Sequence, residues 1–379
     1  MPRFRSLGTA ALAVLPALPM SASLGLAPAH LALARPARPA PVKLDAQTWN
    51  LEMTRHFGSR DNAAGFAAIL VTGGRLWAFG GTNPGAASAP VAAELVGKHW
   101  KPAALPAGLT DFISDASASS RHDIWALSGY GRYVLHWDGT QWRLAHKWRQ
   151  QGALSDIVGT SARSAWVFGT AFDGTRGLGT WRFDGTSWRR VPGAPDSIYR
   201  ASAVSGHDIW AIAAGDRADT ILRFDGRHWQ RARGGSAIAG IRWRDILAES
   251  ARDVWLLGNT TRGRLVLAHW NGARWHRFTT SLSALAGQLA AARDGRVLAT
   301  ATGVARLPAG LILMMTDAGH LTSAAITSTL GCGVSDLVIV PRTGSVWASG
   351  GTLTRLGGNA AIWVRPGPGR GKAHADGVH

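Results

Sequence analysis

Residues 123–142 read D-I-W-A-L-S-G-Y-G-R-Y-V-L-H-W-D-G-T-Q-W and contain two short motifs. The first motif, D-I-W-A, is a β-branched and aromatic run of the kind that forms a half-buried strand. The second motif, W-D-G-T-Q-W, has an Asp-Gly turn between two short strand ends, which is a strong signal for a β-hairpin. Both motifs recur along the chain, so this stretch is one copy of a repeat.

Tryptophans recur in each motif of the repeat, and their spacing gives the length of the repeat. Copies of the first motif are 48, 41, 44 and 45 residues apart, and a final gap of 92 residues holds a further copy with Leu298 in place of tryptophan. The first motif has its tryptophan at Trp77, Trp125, Trp166, Trp210, Trp255 and Trp347. The second motif ends at Trp49, Trp100, Trp142, Trp188, Trp229 and Trp275, with Leu321 in the seventh place. Seven copies therefore explain most of the 18 tryptophans.

Each copy contains four short strand patterns separated by turn signals, and no segment has a long helical period. Four strands in about 45 residues are typical of a propeller blade. The sequence therefore predicts an all-β fold, a seven-bladed β-propeller over residues 44–366. The chain opens on a fourth-strand pattern (44–49) and ends on a third-strand pattern (360–365). We predict that residues 49–52 form the outer strand of the last blade and close the ring.

The N-terminus has the features of an export signal. Arg3 and Arg5 precede a short apolar segment (7–18), and a small-residue cleavage site follows at Ala27-Pro28-Ala29. This order predicts a Sec-type signal peptide over 1–29 and a secreted mature chain without a transmembrane segment. A retained N-terminal anchor is the alternative. Residues 30–43 are predicted to form an extended Pro/Ala linker and residues 367–379 a disordered tail.

The chain is strongly basic, with a formal net charge of +18. Loss of Arg3 and Arg5 with the signal peptide would leave +16. Outside the cell such a surface favours an anionic wall polymer, a polysaccharide or a protein partner, and export argues against nucleic acid. The single cysteine, Cys332, excludes an intramolecular disulfide. We expect a monomer with a buried, inert thiol, the alternative being a reactive one.

The repeat resembles a known family of propellers. A second strand that ends in two glycines, at Gly80-Gly81 and Gly350-Gly351, followed by an aromatic-Asp pair and a tryptophan, is similar to Kelch repeats. The fuller pattern, D-I/V-W-A followed by H-W-D/N-G-x-x-W, resembles secreted propeller repeats common in actinobacterial genomes. The resemblance covers about residues 44–366. It implies a propeller that serves either as a binding scaffold or as an enzyme, because Kelch-type propellers host both.

A candidate site lies on the innermost strand of the blades, ten residues before the first-motif tryptophan. Because these strands line the central channel, a shared spacing predicts side chains at a similar height around it. We interpret this position as a ring that borders a polar pocket at the channel mouth and binds a cation or a hydroxyl-rich ligand. The alternative is that each Asp only caps its own strand. The ring comprises Asp115, Asp156, Arg200, Asp245, Gln288 and, one step earlier in its repeat, Asp336.

Two tryptophans fall outside the repeat. Trp148 lies in K-W-R-Q-Q-G and Trp243 in I-R-W-R-D-I, both beside arginines. Tryptophans flanked by charge can be exposed stacking platforms for a ligand, and this is one hypothesis for both residues. The alternative is ordinary packing in the core of the propeller.

Sequence motifs of enzymes are absent: the chain has no H-E-x-x-H, no C-x-x-C, no nucleophile elbow and no phosphate loop. We therefore predict no catalytic residue, no metal and no cofactor. The leading interpretation is a secreted, non-catalytic binding module or scaffold for a carbohydrate, a cell-wall polymer or a protein partner. The alternative is an extracellular hydrolase, lyase or oxidase with its site at the channel mouth.

Overall fold

The computed structural model describes residues 43–44, 49–55, 63–83, 88–128, 132–149, 152–170, 177–215, 218–291, 296–303, 310–316, 319–326, 331–354 and 357–367. The predicted signal peptide (1–29), the predicted linker apart from Lys43 and the predicted tail apart from Gly367 lie outside these residues. Within the described ranges, no helix has the length and the apolar character needed to cross a membrane.

The described chain begins with two strands, β1 (Lys43–Leu44) and β2 (Asn50–Arg55), that join sheets formed much later in the sequence. The next four repeats each form a four-stranded antiparallel sheet, named blades one to four. Blade one contains β3 (Ala63–Thr72), β4 (Arg75–Asn83), β5 (Pro90–Val96) and β6 (His99–Pro102), and blade two contains β7 (Ile113–Ser120), β8 (Asp123–Ser128), β9 (Tyr133–Trp137) and β10 (Trp142–Lys147). Blade three contains β11 (Asp156–Ser161), β12 (Ser164–Phe168), β13 (Trp181–Phe183) and β14 (Trp188–Arg190), and blade four contains β15 (Ile198–Ser205), β16 (Asp208–Ala213), β17 (Thr220–Phe224) and β18 (Trp229–Arg231).

Blades five and six share one long strand. A short 3-10 helix (Gly235–Ile238) precedes them. Because the 17-residue strand β22 pairs first with β21 and then with β23, it is the outer strand of blade five and the inner strand of blade six. The strands are β19 (Ile241–Ser250), β20 (Asp253–Thr260), β21 (Arg264–Trp270), β22 (Trp275–Ala291), β23 (Arg296–Gly303), β24 (Gly310–Thr316) and β25 (Leu321–Ile326). The two residues of β1 add a parallel strand to the edge formed by β25.

Blade seven combines the two ends of the chain. It contains β26 (Cys332–Ile339), β27 (Val346–Thr354) and β28 (Gly357–Arg365), and β2 pairs antiparallel with β28 as the fourth strand. The innermost strands β3, β7, β11, β15, β19, β22 and β26 contact one another in a closed circle. The prediction of an all-β propeller is confirmed, and β2 occupies the outer edge predicted for residues 49–52.

The paired tryptophans explain the unusual composition, because they pack between neighbouring blades. The first-motif indole of one blade meets the second-motif indole of the next blade edge-on, with ring centroids 5.7 Å apart for Trp77 and Trp142 and also for Trp125 and Trp188. Such edge-to-face pairs are favoured over face-to-face stacking. The same contact recurs for Trp166 with Trp229, Trp210 with Trp275, and Trp347 with Trp100.

The acidic residue of the second motif stabilises a turn. The Asp138 Oδ1 atom accepts hydrogen bonds from the backbone N–H groups of Thr140 and Gln141, at 2.9 and 3.0 Å. Gly139, which lies between Asp138 and Thr140, has a φ of 96°. A positive φ of this size is favourable only for glycine, which explains the Asp-Gly pair. The Thr140 hydroxyl and these N–H groups lower the pKa of Asp138. These residues are therefore structural elements of the repeat.

Candidate functional site

The six predicted ring residues lie together on the propeller axis. Each is on an innermost strand, and in four blades a β-bulge immediately precedes the ring position. A bulge inserts an unpaired residue and changes the direction of the next side chain. The bulges precede Asp115, Arg200, Asp245 and Asp336.

Arg200 is the centre of the ring. Its Nη1 atom lies 2.8 Å from Asp156 Oδ1 and 3.3 Å from Asp115 Oδ2, and its Nε atom lies 3.5 Å from Asp245 Oδ1. The Arg200 side chain is 13% exposed, so these contacts are shielded from bulk water. One guanidinium from blade four therefore bridges carboxyl groups of blades two, three and five.

Gln288 connects the remaining member. With its amide oriented to satisfy both neighbours, it donates to Asp336 Oδ1 at 2.8 Å and accepts from Arg200 Nη2 at 2.9 Å. All six ring residues thus belong to one polar network. A glutamine suits this place because its amide is both a donor and an acceptor.

The ring carboxyls also join neighbouring blades through backbone bonds. Asp115 Oδ2 accepts the N–H of Ile157 at 3.2 Å, and Asp156 accepts that of Ala201. Two further bonds of this type run from Leu289 N–H to Asp245 at 2.6 Å and from Ile69 N–H to Asp336 at 2.9 Å. Asp115 and Asp336 also accept N–H groups of their own strands. The ring therefore holds successive blades together, and its role in binding a ligand stays a prediction.

Burial and crowding change the protonation of the ring. Burial, and then the neighbouring Asp115, raises the pKa of Asp156 well above its ordinary value, although Arg200 opposes this. Burial raises the pKa of Asp245 and brings that of Asp336 to about 7. Burial alone would lower the pKa of Arg200, but Asp156 and the other carboxylates raise it. Part of the carboxyl groups are thus protonated near neutral pH, which reduces the charge around Arg200.

A cavity of about 280 Å³ adjoins the ring inside the channel. Its walls are small residues of the inner strands, including Ser117, Gly159 and Ser202. The Ser117 hydroxyl accepts the N–H of Gly159 at 3.0 Å, so part of the polar wall also links blades. The cavity has the size of a small polar ligand. Within the described residues, no group of three or more His, Cys, Asp or Glu side chains is arranged to hold a metal ion.

Trp148 and Trp243 are core residues, which corrects the expectation that they are exposed stacking platforms. Trp148 is 6% exposed and packs edge-on against Trp181 and Trp188. Trp243 is 2% exposed, and its indole N–H donates to the carbonyl of Ile238 at 3.3 Å. Neither indole presents a face to a ligand: Trp148 follows the end of β10 and packs on neighbouring indoles, and Trp243 lies within β19 with its ring turned into the core.

Cys332 is buried in the core of blade seven, and its Sγ atom lies 3.0 Å from the carbonyl oxygen of Ile326. Burial raises the pKa of the thiol. A higher pKa reduces the thiolate fraction, so the thiol has the environment of an inert core residue.

Sequence reasoning missed Arg244 and a recurring polar pair. Arg244 precedes Asp245 in the same bulge, and burial together with the charge of Arg200 lowers its pKa to about 10. The Asp of the first motif is paired with the residue that directly precedes the second motif. In blade two, Asp123 Oδ1 lies 2.6 Å from His136 Nε2. That imidazole stacks on Trp125 with centroids 4.1 Å apart. The visible signal was the basic residue in H-W-D-G, which also occurs as His269 and Arg223.

Comparisons with known proteins show the fold. No protein-family model and no curated protein sequence matches the chain. A structure of YCF48 bound to D1 peptide matches with a TM-score of 0.55 at 14% identity, over 88% of this chain and 100% of that chain. Virginiamycin B lyase from Staphylococcus aureus matches with a TM-score of 0.56 at 12% identity, over 83% and 99% of the two chains. The Cps50 (Swd1) β-propeller domain from Myceliophteria thermophila matches with a TM-score of 0.56 at 15% identity, over the same shares. Together with the strand topology, these matches show that the chain is a β-propeller.

Proposed function

We propose that the mature protein is a secreted, non-catalytic propeller scaffold that binds an anionic extracellular polymer through its outer surface. The observation that carries this proposal is the distribution of charge. The ring carboxyls are engaged with Arg200, with Gln288 and with backbone N–H groups, so they are occupied inside the fold. The surplus of arginine lies outside, where Arg231 and Arg233 are exposed.

Structural neighbours support a binding role. The structure of YCF48 was solved with D1 peptide bound, so in that protein a propeller serves to bind a peptide. A fold of this kind hosts many functions, so the choice of an anionic partner depends on the charge of this chain. With the net charge of +16 that remains after loss of Arg3 and Arg5, the surface attracts polyanions over the range of the Debye length.

An enzyme with its site in the channel is the second candidate. The cavity of about 280 Å³ brings Asp115 and Asp156 together, and burial raises the pKa of Asp156. A carboxyl whose pKa is raised by burial can serve as a general acid. Against this role, both groups also accept backbone N–H bonds that hold blades together.

The proposed function is tested by retention of the purified chain 30–379 on immobilised polyphosphate, polygalacturonate and neutral dextran, at low and high salt. We expect retention on the polyanions at low salt, release at high salt and no retention on dextran, because screening weakens exposed charge pairs. Passage through all three columns at low salt, or equal retention on dextran, would contradict the proposal.

A further inference from the structure

A second cavity, of about 390 Å³, lies between the outer part of blade four and blade five. It is distinct from the channel and has arginines at its rim and indoles at its base. We refer to it as the inter-blade cavity. Its lining comprises Trp210, Arg223, Gln230, Arg231, Ala232, Arg233, Ala251, Arg252, Trp270 and Gly272.

Three of its four arginines have no charged partner among the residues that the structure describes. Arg223 forms a two-point ion pair with Asp208, at 2.8 and 2.9 Å, and stacks over Trp210 with its Cζ atom 5.1 Å from the ring centroid. The other three arginines are exposed, and in the part of the chain that the structure describes their guanidinium groups form no ion pair or hydrogen bond. These are Arg231, Arg233 and Arg252.

Blade three shows that the cation at this position of the repeat can be neutralised within the fold. The residue two positions after the second-motif tryptophan is Arg190 in blade three and Arg231 in blade four. Arg190 is neutralised by Asp196, with Nη2 and Oδ1 2.9 Å apart. Arg231 has no acidic partner among the described residues, whereas the equivalent arginine of blade three is neutralised.

A buried donor at the base of the cavity is also unpaired. Trp270 is 7% exposed, and its indole N–H has no acceptor in the described structure. The corresponding indole of blade two, Trp137, donates to the carbonyl of Arg121 at 3.2 Å. Ala251 holds the equivalent place in blade five and lines the same cavity. The site therefore combines three guanidinium groups that have no partner among the described residues; the unpaired indole N–H is shared with other buried tryptophans of the repeat and does not by itself mark a ligand.

We propose that the inter-blade cavity binds the phosphate group of a phosphate-containing polymer. This inference rests on the proposed function and locates its binding site. Guanidinium groups bind phosphate through paired N–H···O bonds, and several cations around one site match a multiply charged oxyanion better than a single carboxylate. The exposed rim also leaves room for a polymer to continue along the surface.

The test uses Arg252→Ala and the double variant Arg231→Ala/Arg233→Ala, with Arg163→Ala as the matched control. Arg163 and Arg252 occupy the same turn of their repeats, and their backbone N–H groups donate to Ser161 and Ser250 at 3.2 and 3.1 Å. Each also packs over the turn glycine of its blade. The control therefore removes the same charge from the same local structure, away from the cavity.

Binding of inorganic phosphate, polyphosphate and polygalacturonate to the chain 30–379 is measured by titration calorimetry, with circular dichroism to check folding. We expect each cavity variant to weaken polyphosphate binding about tenfold or more, since each removes charge-assisted hydrogen bonds to phosphate. Arg163→Ala should weaken binding less than about threefold, as expected for a surface charge. Inorganic phosphate should compete with polyphosphate if the phosphate group itself is recognised.

The outcomes separate this inference from the proposed function. Equal effects of Arg163→Ala and Arg252→Ala would overturn the cavity as the site while leaving polyanion binding intact. Tighter binding of polygalacturonate than of polyphosphate would overturn phosphate recognition. If the unmodified chain binds neither polyanion, the proposed function itself fails.

Discussion

Arg200 replaces the Asp that most other blades have at this position of the repeat, and this one cation allows the remaining carboxyl groups to lie close together. Four carboxyl groups close to one axis would repel one another if all were charged. Arg200 contacts three of them, and Gln288 links the guanidinium to the fourth, Asp336. The mixed composition of the ring is therefore a condition for closing it with buried polar groups.

Arg200→Leu should be strongly destabilising. It removes the cation shared by Asp115, Asp156 and Asp245, and breaking a buried ion pair on one side typically costs about 3–5 kcal/mol. The loss should shrink as the pH falls from neutral towards 5, because protonation removes the charge that lacks a partner. Urea unfolding at several pH values measures both effects.

The control for this experiment is Arg190→Leu, which removes an ion pair with Asp196. The side chains of Arg190 and Asp196 are 55% and 62% exposed. Such surface pairs contribute about 0–1 kcal/mol. Similar losses in the two variants would contradict the central role assigned to Arg200.

At the scale of strands, the most consequential element is β2, because it completes blade seven from the opposite end of the chain. Its residues pair with β28 from Asn50 opposite Val364 to Arg55 opposite Ala360. Without β2, β28 would present an unpaired edge next to the buried side chains of Ile362 and Trp363. An exposed edge of this kind favours unfolding and aggregation.

A chain that begins at residue 56 should therefore be less stable than one that begins at residue 49, since both lack β1 and only the first lacks β2. We expect thermal unfolding at least about 5 °C lower, since each kcal/mol shifts the midpoint of a domain of this size by about 2 °C. A synthetic peptide of residues 49–55, added in excess, should restore part of the loss by pairing with β28. Identical midpoints for the two chains would show that β2 does not close the ring.

For the whole molecule, buried acids dominate the dependence of stability on pH above pH 4. Burial raises the pKa of Asp245 and Asp219 as well as that of Asp156, and brings that of Asp336 to about 7. The folded chain holds these protons more tightly than the unfolded chain. Their contribution to stability is therefore fully present below the ordinary carboxyl pKa and is lost as the pH rises towards 7.

We expect the free energy of unfolding to fall between pH 4 and pH 7, and Asp336→Asn to make this decline shallower by about 1–3 kcal/mol. Because an amide cannot ionise, the substitution removes the contribution of Asp336 to the change in unfolding free energy with pH. Any hydrogen bond lost with the carboxylate lowers stability by the same amount at each pH. Chemical unfolding across this range measures the slope. Asp196→Asn, at an exposed carboxyl, should leave the slope unchanged, and an unchanged slope in Asp336→Asn would contradict the buried proton.

Much of the fold follows from local patterns in the chain. The tryptophan spacing predicted four-stranded units, and the phase of the first and last units predicted the pairing of β2 with β28. The double use of β22 was not predicted, because the repeat pattern marks separate strands and does not show that the outer strand of blade five continues unbroken into the inner strand of blade six. The buried positions of Trp148 and Trp243 depended on how neighbouring elements pack around them, and the flanking arginines indicated the opposite.

The sequence by itself determined the repeat, the positions of the turns and which residues share a height on the inner strands, because these follow from periods along one chain. Only the tertiary structure decided what those residues contact. The bond from Arg200 to Asp115 joins residues 85 positions apart, and the arginines of the inter-blade cavity come from two neighbouring blades. Charge compensation depends on distances in space, so the sequence showed an excess of arginine while the fold decided which guanidinium groups are neutralised and which remain open.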